Sequence, residues 1–490
     1  MFDAPHSHVL SCIAGLARHN PDKVALVEGN QRITRGQLVT NIEIAASFLT
    51  SIGLKPGDRI LLSARKELEF VYLYFAAQLL GIVNVVVDPT SPQDRLDYIL
   101  KTTNPVAVIG LNLLTGNHRC IQFDDVNVNH GNRGDSIYTW PKVNADDVAD
   151  IMFTTGTTGA PKGVCLSHAN LSGSASNING FIGNREEDIE ALGLPLSHSF
   201  GLGRLRCVMM AGGTMVLVGN FANLKAFFTI LEQEHVTGFG MVPAVWQYIK
   251  RLSGTRIAKF SNQLRYIEVG SAALPIEDKR LLMELFPNTR LCIHYGLTEA
   301  SRALFSELHL NAKNLESIGK PVSSHVEVCI LDENGEPVPD GTDGELCVCG
   351  NMVMKSYLLP DDNADAFYDR WFRTGDWGHR DSNGYFYLTG RKKELINVGG
   401  EKVSPATIEA AIISLGVPDC ACIAIPDPNG VLGEVPKAFL QRYDNPLTID
   451  EIRQHLAHLL LSNEIPVQYE WIDVIPRSSS GKIQRLKLKR

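Results

Sequence analysis

Between residues 36 and 110 the sequence alternates at short intervals between apolar residues spaced for a helix and unbroken apolar runs suited to buried strands. The pattern predicts helices over 37–51, 67–80 and 92–101, and strands over 59–63, 82–87 and 106–109. Ser91, Pro92 and Asp94 read as an N-cap, a proline at the first helical position and an acid in the first turn. Strands alternating with helices in this way imply a parallel sheet with helices on its faces. Residues 70–87 form an 18-residue stretch without a charge, long enough to raise a membrane span. Gln78, Gly81 and Asn84 interrupt it, so helix, glycine stop and strand is the expected reading. The opening MFDAPHSHVL carries Asp3 and no basic start before an apolar run, so no signal peptide is expected and a cytoplasmic location is.

At 490 residues the chain has room for about three domain equivalents. After about residue 324 the pattern changes to short strands around the turn signals DENGEP, DGTDGE and DSNGYF, with Asn383–Gly384 as a hairpin signal. A third section begins at 391, where Ser404 and Pro405 open a helix, 420–425 reads as a strand and 449–461 as another helix. The change of pattern divides the chain into 1–390 and 391–490. Forty-six Lys and Arg against 54 Asp and Glu leave a net charge of −8, which argues against a nucleic-acid-coating role and favours small ligands. Ten scattered cysteines suit a reducing compartment. Cys347 with Cys349 and Cys420 with Cys422 lie in alternating apolar runs, where each pair shares a strand face rather than forming a metal site.

Chemistry concentrates first at TTGTTGAPKG, residues 154–163, between an expected strand over 149–153 and the helix that follows His168. Threonine hydroxyls, glycine backbone amides and one lysine make a cradle for phosphate oxygens. It is not a Walker A loop, because Pro161 and Gly163 flank Lys162 where that motif needs Gly and Ser or Thr. Lys482 lies in a small-residue turn ahead of Arg485, Lys487, Lys489 and Arg490, which by themselves read as a basic, solvated tail.

The loop resembles the phosphate loop of the adenylate-forming superfamily, which includes acyl-CoA synthetases, aryl-CoA ligases, nonribosomal adenylation domains and luciferases. Six further segments resemble that family's signatures in the family's order: PLSHSFG (195–201), GSAALP (270–275), YGLTEAS (295–301), RTGD (373–376), GRKKELINVGGEKVSP (390–405) and SSSGKIQR (478–485). The resemblance implies an α/β fold. Its large N-terminal domain would hold mixed and parallel sheets flanked by helices and a small β-barrel-like section, followed by a small mobile α+β C-terminal domain. It implies ATP contacts from Thr154, Thr155, Gly156, Thr157, Thr158, Gly159 and Lys162 at the phosphates. Gly270, Ser271, Ala272 and Tyr295 would meet adenine, Thr298 would be catalytic at the α-phosphate, Asp376 would bind the ribose, and Gly296 and Arg391 would be further ATP contacts. Glu299 would bind Mg²⁺, Lys393 would be the hinge, and Gly399 and Gly400 would admit a thiol arm. Lys482 would be the catalytic lysine. His198, Phe200, Met241 and Pro243 would shape the acyl pocket, His198 also gating the thiol.

Ser199 stands where amino-acid-activating relatives carry an Asp for the α-ammonium group, which disfavours an α-amino acid substrate. Arg302 is open between facing a polar group of the substrate and a surface salt bridge. The implied reaction joins a small-molecule carboxylic acid to ATP as an acyl-adenylate, then passes the acyl group to coenzyme A. The alternative acceptor is the phosphopantetheine thiol of an acyl carrier protein. A luciferase-like oxidation has no support in the sequence, and a non-catalytic nucleotide sensor would not need both Lys482 and Glu299. Neither a nucleic-acid partner nor a membrane span is expected, and the identity of the acid is left open.

Overall fold

The computed structural model describes residues 9–111, 119–126, 140, 143–154, 161–219, 221–399, 401–477, 481 and 483–488. The alternating segment folds as its pattern predicts, with helices Arg35–Ser51, Leu68–Leu79 and Gln93–Thr103 and strands Arg59–Ser63, Val83–Val87 and Ala107–Ile109. One detail differs. Pro92, not Ser91, occupies the N-cap position of Gln93–Thr103, and no side chain caps that end. Pro92 has an extended ψ of 147°, so the helix starts one residue later than the Ser-Pro signature suggests. Helix Leu68–Leu79 is buried on all sides, which is why its sequence reads as continuously apolar. Among the described residues no helix is long and apolar enough to cross a membrane.

Two large mixed sheets are built from the first 321 residues together with the short strand Ser356–Tyr357. The seven-stranded sheet runs Ser356–Tyr357, Gly163–Ser167, Val148–Phe153, Val83–Val87, Arg59–Ser63, Ala107–Ile109 and Arg119–Ile121, and its last five strands are mutually parallel. The nine-stranded sheet has six parallel central strands, Arg290–Tyr295, Tyr266–Val269, Gly238–Met241, Ile189–Leu192, Thr214–Leu217 and Val24–Glu28, with antiparallel strands at both edges. Short strands over 326–391 make a separate five-stranded antiparallel sheet that includes the Trp371–Arg380 and Phe386–Arg391 hairpin. Cys347 and Cys349 sit on one of its strands, as Cys420 and Cys422 do on Cys420–Pro426.

Helix Ser199–Ala211 is tied to both large sheets by two buried arginines. Arg204 Nε donates to Glu190 at 2.8 Å, and its Nη1 lies 3.4 Å from Glu268, both acids belonging to the nine-stranded sheet. Arg206 Nη1 donates to Tyr74 Oη at 2.9 Å and lies 3.3 Å from Asp150 of the seven-stranded sheet. Burial works to lower the Arg204 pKa, but the Glu190 carboxylate holds it well above the ordinary value. One helix therefore fixes the mutual placement of two sheets through charges that neither sheet alone can neutralise.

Residues after 395 pack around their own core of Ile396, Ile408, Ile412, Cys420, Cys422, Val435, Leu440, Ile452 and Leu456. Its helices are Pro405–Ser414, with Ser404 as N-cap and Pro405 at the first position, and Ile449–Leu459, opened by a Thr448–Glu451 capping box.

Candidate active site

A cavity of about 1120 Å³ opens beyond the carboxyl ends of the parallel strands, where open α/β sheets place ligands. The chain following Val148–Phe153, Ile189–Leu192, Gly238–Met241 and Tyr266–Val269 contributes Thr154, Gly193, Val242 and Ser271 to its wall, and the end of Arg290–Tyr295 adds His294 and Gly296. Of the sequence-predicted residues, Thr154, Lys162, His198, Phe200, Ser271, Gly296, Thr298, Glu299, Arg391 and Lys393 line it. Thr155, Gly156, Thr157, Thr158, Gly159, Gly400 and Lys482 lie outside the described residues.

At the phosphate end, two hydrogen bonds pin the ends of the loop: Thr154 N donates to Lys162 O at 3.0 Å, and Lys162 N to Thr154 Oγ1 at 3.3 Å. Lys162 Nζ pairs with Asp362 at 3.1 Å and sits 4.7 Å from the centre of the Tyr357 ring. The Tyr357 hydroxyl donates to Glu299 Oε1 at 2.8 Å. Glu299 is only 8% exposed. Burial, and after it the Glu299 carboxylate, raises the Tyr357 phenol, which therefore stays a neutral donor. Tyr357 and Asp362 were not legible as site residues, because YLLPDDN carries no periodic or motif signal. Their role follows from strand Ser356–Tyr357 pairing with Gly163–Ser167.

Asp376 is engaged at both oxygens. Tyr295 Oη donates to Oδ2 at 2.5 Å and Arg391 Nε lies 2.8 Å from Oδ1. Burial, then Asp376, holds the Tyr295 phenol well above its ordinary range. The aspartate expected at ribose thus forms a Tyr–Asp–Arg chain, and of the three only Arg391 lines the cavity. The adjoining backbone is fixed by Glu345, which accepts from Arg373 Nη2 at 3.1 Å, Lys392 Nζ at 2.9 Å and Gly375 N at 3.3 Å. A lone Glu inside the apolar strand GELCVCG was the available signal that a buried carboxylate needs cations around it.

At the other end His198 occupies the N-cap position of helix Ser199–Ala211 and faces the cavity with Phe200. Asp88 lies beside it, accepting from Ser197 Oγ at 3.0 Å. Burial would raise the Asp88 carboxyl, but hydrogen bonds from Thr90 and Ser197 and the neighbouring His198 pull it below the ordinary value. Arg302 lines the cavity and is no surface pair, its guanidinium being engaged by protein partners. It is 2% exposed, donates from Nε to Glu268 at 3.0 Å and from Nη2 to Phe200 O at 2.9 Å, and stacks over the Phe200 ring. Gly296 is required by the same arginine, since a Cβ there would stand 2.3 Å from Arg302 N. Met241 and Pro243 point elsewhere. Met241 belongs to the core of the nine-stranded sheet and Pro243 is the buried first residue of a helix, so Val242 and Val245 line the cavity in their stead. Gly270, Ala272, Tyr295, Asp376 and Gly399 are also set back from the cavity wall.

The expected hinge lies at its mouth, where Lys392, Lys393 and Glu394 line the cavity and Lys392 N donates to Gly375 O at 2.8 Å. Arg485, read from sequence as part of a solvated tail, is instead half-buried against this segment. It pairs with Glu394 at 3.0 Å and with Glu409 at 2.8 Å. Gly399 has a φ of 62° and donates its N–H to Leu432 O at 2.8 Å.

The family model described as AMP-binding enzyme matches residues 14–358, about 70% of the chain. The chain belongs to the AMP-binding enzyme family. It is 30% identical over 486 residues to a 2-succinylbenzoate–CoA ligase of Bacillus licheniformis, covering 96% of this chain and 98% of that one. A feruloyl-CoA synthase of an Amycolatopsis species is also 30% identical, over 97% of both chains. Among solved structures, o-succinylbenzoate CoA synthetase from Bacillus subtilis in complex with its acyl-adenylate intermediate superposes with a TM-score of 0.85 at 25% identity, covering 98% of each chain. As a member of this family the protein is an AMP-forming acid–thiol ligase with the mixed α/β fold that its sequence resemblance implied.

Proposed function

We propose that the protein activates a carboxylic acid with ATP and transfers the acyl group to coenzyme A, both steps being served by the single cavity. The observation that carries this reading is the convergence on one 1120 Å³ space of Thr154 and Lys162, of Thr298 and Glu299, of His198 and Phe200, and of Lys393. In the first half-reaction a carboxylate oxygen bonds to the α-phosphorus as the bond to the β-phosphate oxygen breaks, and pyrophosphate leaves. Lys162 and the loop amides would bind the departing phosphates, Thr298 the α-phosphate, and Arg391 the ribose side, each acting by position and charge. Glu299, a buried carboxylate at the phosphate end, is the residue placed to hold a magnesium ion, which when bound supplies positive charge to the phosphate oxygens. Lys482 would bring its ammonium to the attacking carboxylate and α-phosphate.

In the second half-reaction a thiolate bonds to the acyl carbon while the acyl–phosphate oxygen bond breaks and AMP leaves. We assign residues 391–490 as a unit that turns about Lys393 between the half-reactions, withdrawing Lys482 and presenting Gly399 and Gly400 to the thiol arm. The separate core after residue 395 supports such a unit. Pyrophosphate exchange with a panel of carboxylic acids, followed by coenzyme A or a phosphopantetheinylated carrier protein as acceptor, tests the whole reading. Acid-dependent exchange and a CoA thioester are expected. Exchange without any CoA product, or transfer to the carrier protein alone, would replace the acceptor.

A further inference from the structure

His294 carries the feature that the reaction itself leaves unexplained. Its imidazole lines the acyl end of the cavity although its side chain is only 6% exposed. Nδ1 lies 2.7 Å from Glu268 Oε1, a bent contact, but at a separation where two lone pairs would repel, so Nδ1 carries the proton. Two aromatic rings and a close backbone confine the ring: Phe200 meets it edge-on at 4.6 Å, Phe305 at 5.8 Å, and the Gly270 backbone lies against it. A Cβ at Gly270 would stand 2.1 Å from Nε2, so the glycine is what admits an imidazole here.

The charge around Glu268 is already met. Arg302 Nε lies 3.0 Å from one oxygen and Arg204 Nη1 3.4 Å from the other, with Glu190 the second acid of the group and Tyr266 donating to it. Two arginines against two carboxylates leave no net negative charge to hold a third cation. Burial accordingly lowers the His294 pKa, with Glu268 opposing it only in part. A neutral ring whose Nδ1 bears the proton presents a lone pair at Nε2. Nε2 has no hydrogen-bond partner among the described residues.

Resting on the proposed ligase reading, we infer that His294 Nε2 is the specificity group of the acyl pocket and accepts a hydrogen bond from a hydroxyl on the acid. The substrate class is thus a hydroxyl-bearing carboxylic acid, with Leu194, Phe200, Phe221, Val242 and Val245 enclosing its carbon skeleton. A second carboxylate would meet a lone pair and be refused. An unsubstituted acid would leave a buried acceptor unpaired, which is how a polar pocket rejects the analogue lacking its partner.

The test compares matched acids by pyrophosphate exchange: 4-hydroxybenzoate with benzoate, 4-hydroxycinnamate with cinnamate, 3-hydroxybutyrate with butyrate, and terephthalate as the dianion. For at least one pair, kcat/KM in the native enzyme is expected to favour the hydroxylated acid by tenfold or more. His294→Phe keeps an aromatic ring but removes the acceptor, and should bring that ratio to about one by losing the advantage of the hydroxylated substrate. If that variant does not fold, equilibrium binding of the same pairs to the native enzyme decides. Preference for terephthalate, or a ratio near one in every pair while some acid is activated, overturns the inference and leaves the ligase reading standing. No exchange with any acid overturns both.

Discussion

The two ends of the cavity are built from charges handled in opposite ways. At the acyl end Arg204, Arg302, Glu190 and Glu268 neutralise one another out of reach of water. At the phosphate end Lys162 and Asp362 pair where both are partly exposed, with the lysine side chain 42% open to solvent. A buried charge that has lost its partner cannot be rescued by water, whereas an exposed one can. The acyl end is therefore fixed before any ligand arrives. The phosphate end is held by contacts that a nucleotide is able to replace, Lys162 exchanging a carboxylate for phosphate oxygens.

The largest expected effect breaks the acyl end. Arg204→Met leaves Glu190 and Glu268 short of a cation and should lower unfolding free energy by about 3–5 kcal/mol in urea melts. Lys162→Met at the other end should change it by less than about 1 kcal/mol. Equal losses would erase the distinction.

Next comes Glu299→Gln, which keeps the size of the side chain and removes its charge. Adenylation measured by pyrophosphate exchange should fall by about 10²-fold, close to 2.7 kcal/mol, and respond to added magnesium. An unaltered magnesium dependence would move the metal ligand to another residue. Tyr357→Phe removes only the hydroxyl that holds Glu299. A loss of about tenfold or less in the same assay is expected, with a raised magnesium requirement. If the magnesium requirement stays put, Tyr357 is a packing residue alone.

The smallest effect sharpens the comparison at Lys66. This residue donates to Gly193 O at 2.9 Å at the acyl end, and burial lowers its pKa to about 8. Because the folded value is below the unfolded one, the unfolded chain binds more protons between about pH 8 and 10.5, and native stability rises through that window. Lys66→Met should flatten the rise. Chemical denaturation at pH 7.5, 9 and 10.5 reads it, and parallel curves for both proteins would refute the assignment.

Much of the fold was legible because its signals are local. Periodicity marked the strands at 59–63 and 82–87, and Ser404–Pro405 marked a helix start. The Ser91 cap failed because cap geometry depends on the turn that enters the helix, which residue type alone does not fix. In the site, ordered motifs brought Thr154, Thr298, Glu299 and Lys393 forward, and the structure places them around one cavity. Met241 was misplaced because alternate side chains of a strand face opposite ways, and Pro243 because it is the buried first residue of the helix that follows. The single acids in IEAL, IEV and ADIMF, together with two arginines in GLGRLRC, were a readable sign of buried ion pairs, though not of which acid meets which arginine.

The sequence by itself determined the family, the alternation of strands and helices, and the residue types offered to the nucleotide, because these depend on short-range spacing. Only the tertiary structure decided that Arg302 turns inward to Glu268, that Asp376 spends its oxygens on Tyr295 and Arg391, and that His294 lies against Glu268 at the cavity wall. Each of those outcomes joins residues from separate elements of the fold. The pairing of a buried charge is settled by which counter-charge the fold brings within about 3 Å, and no local pattern encodes that distance.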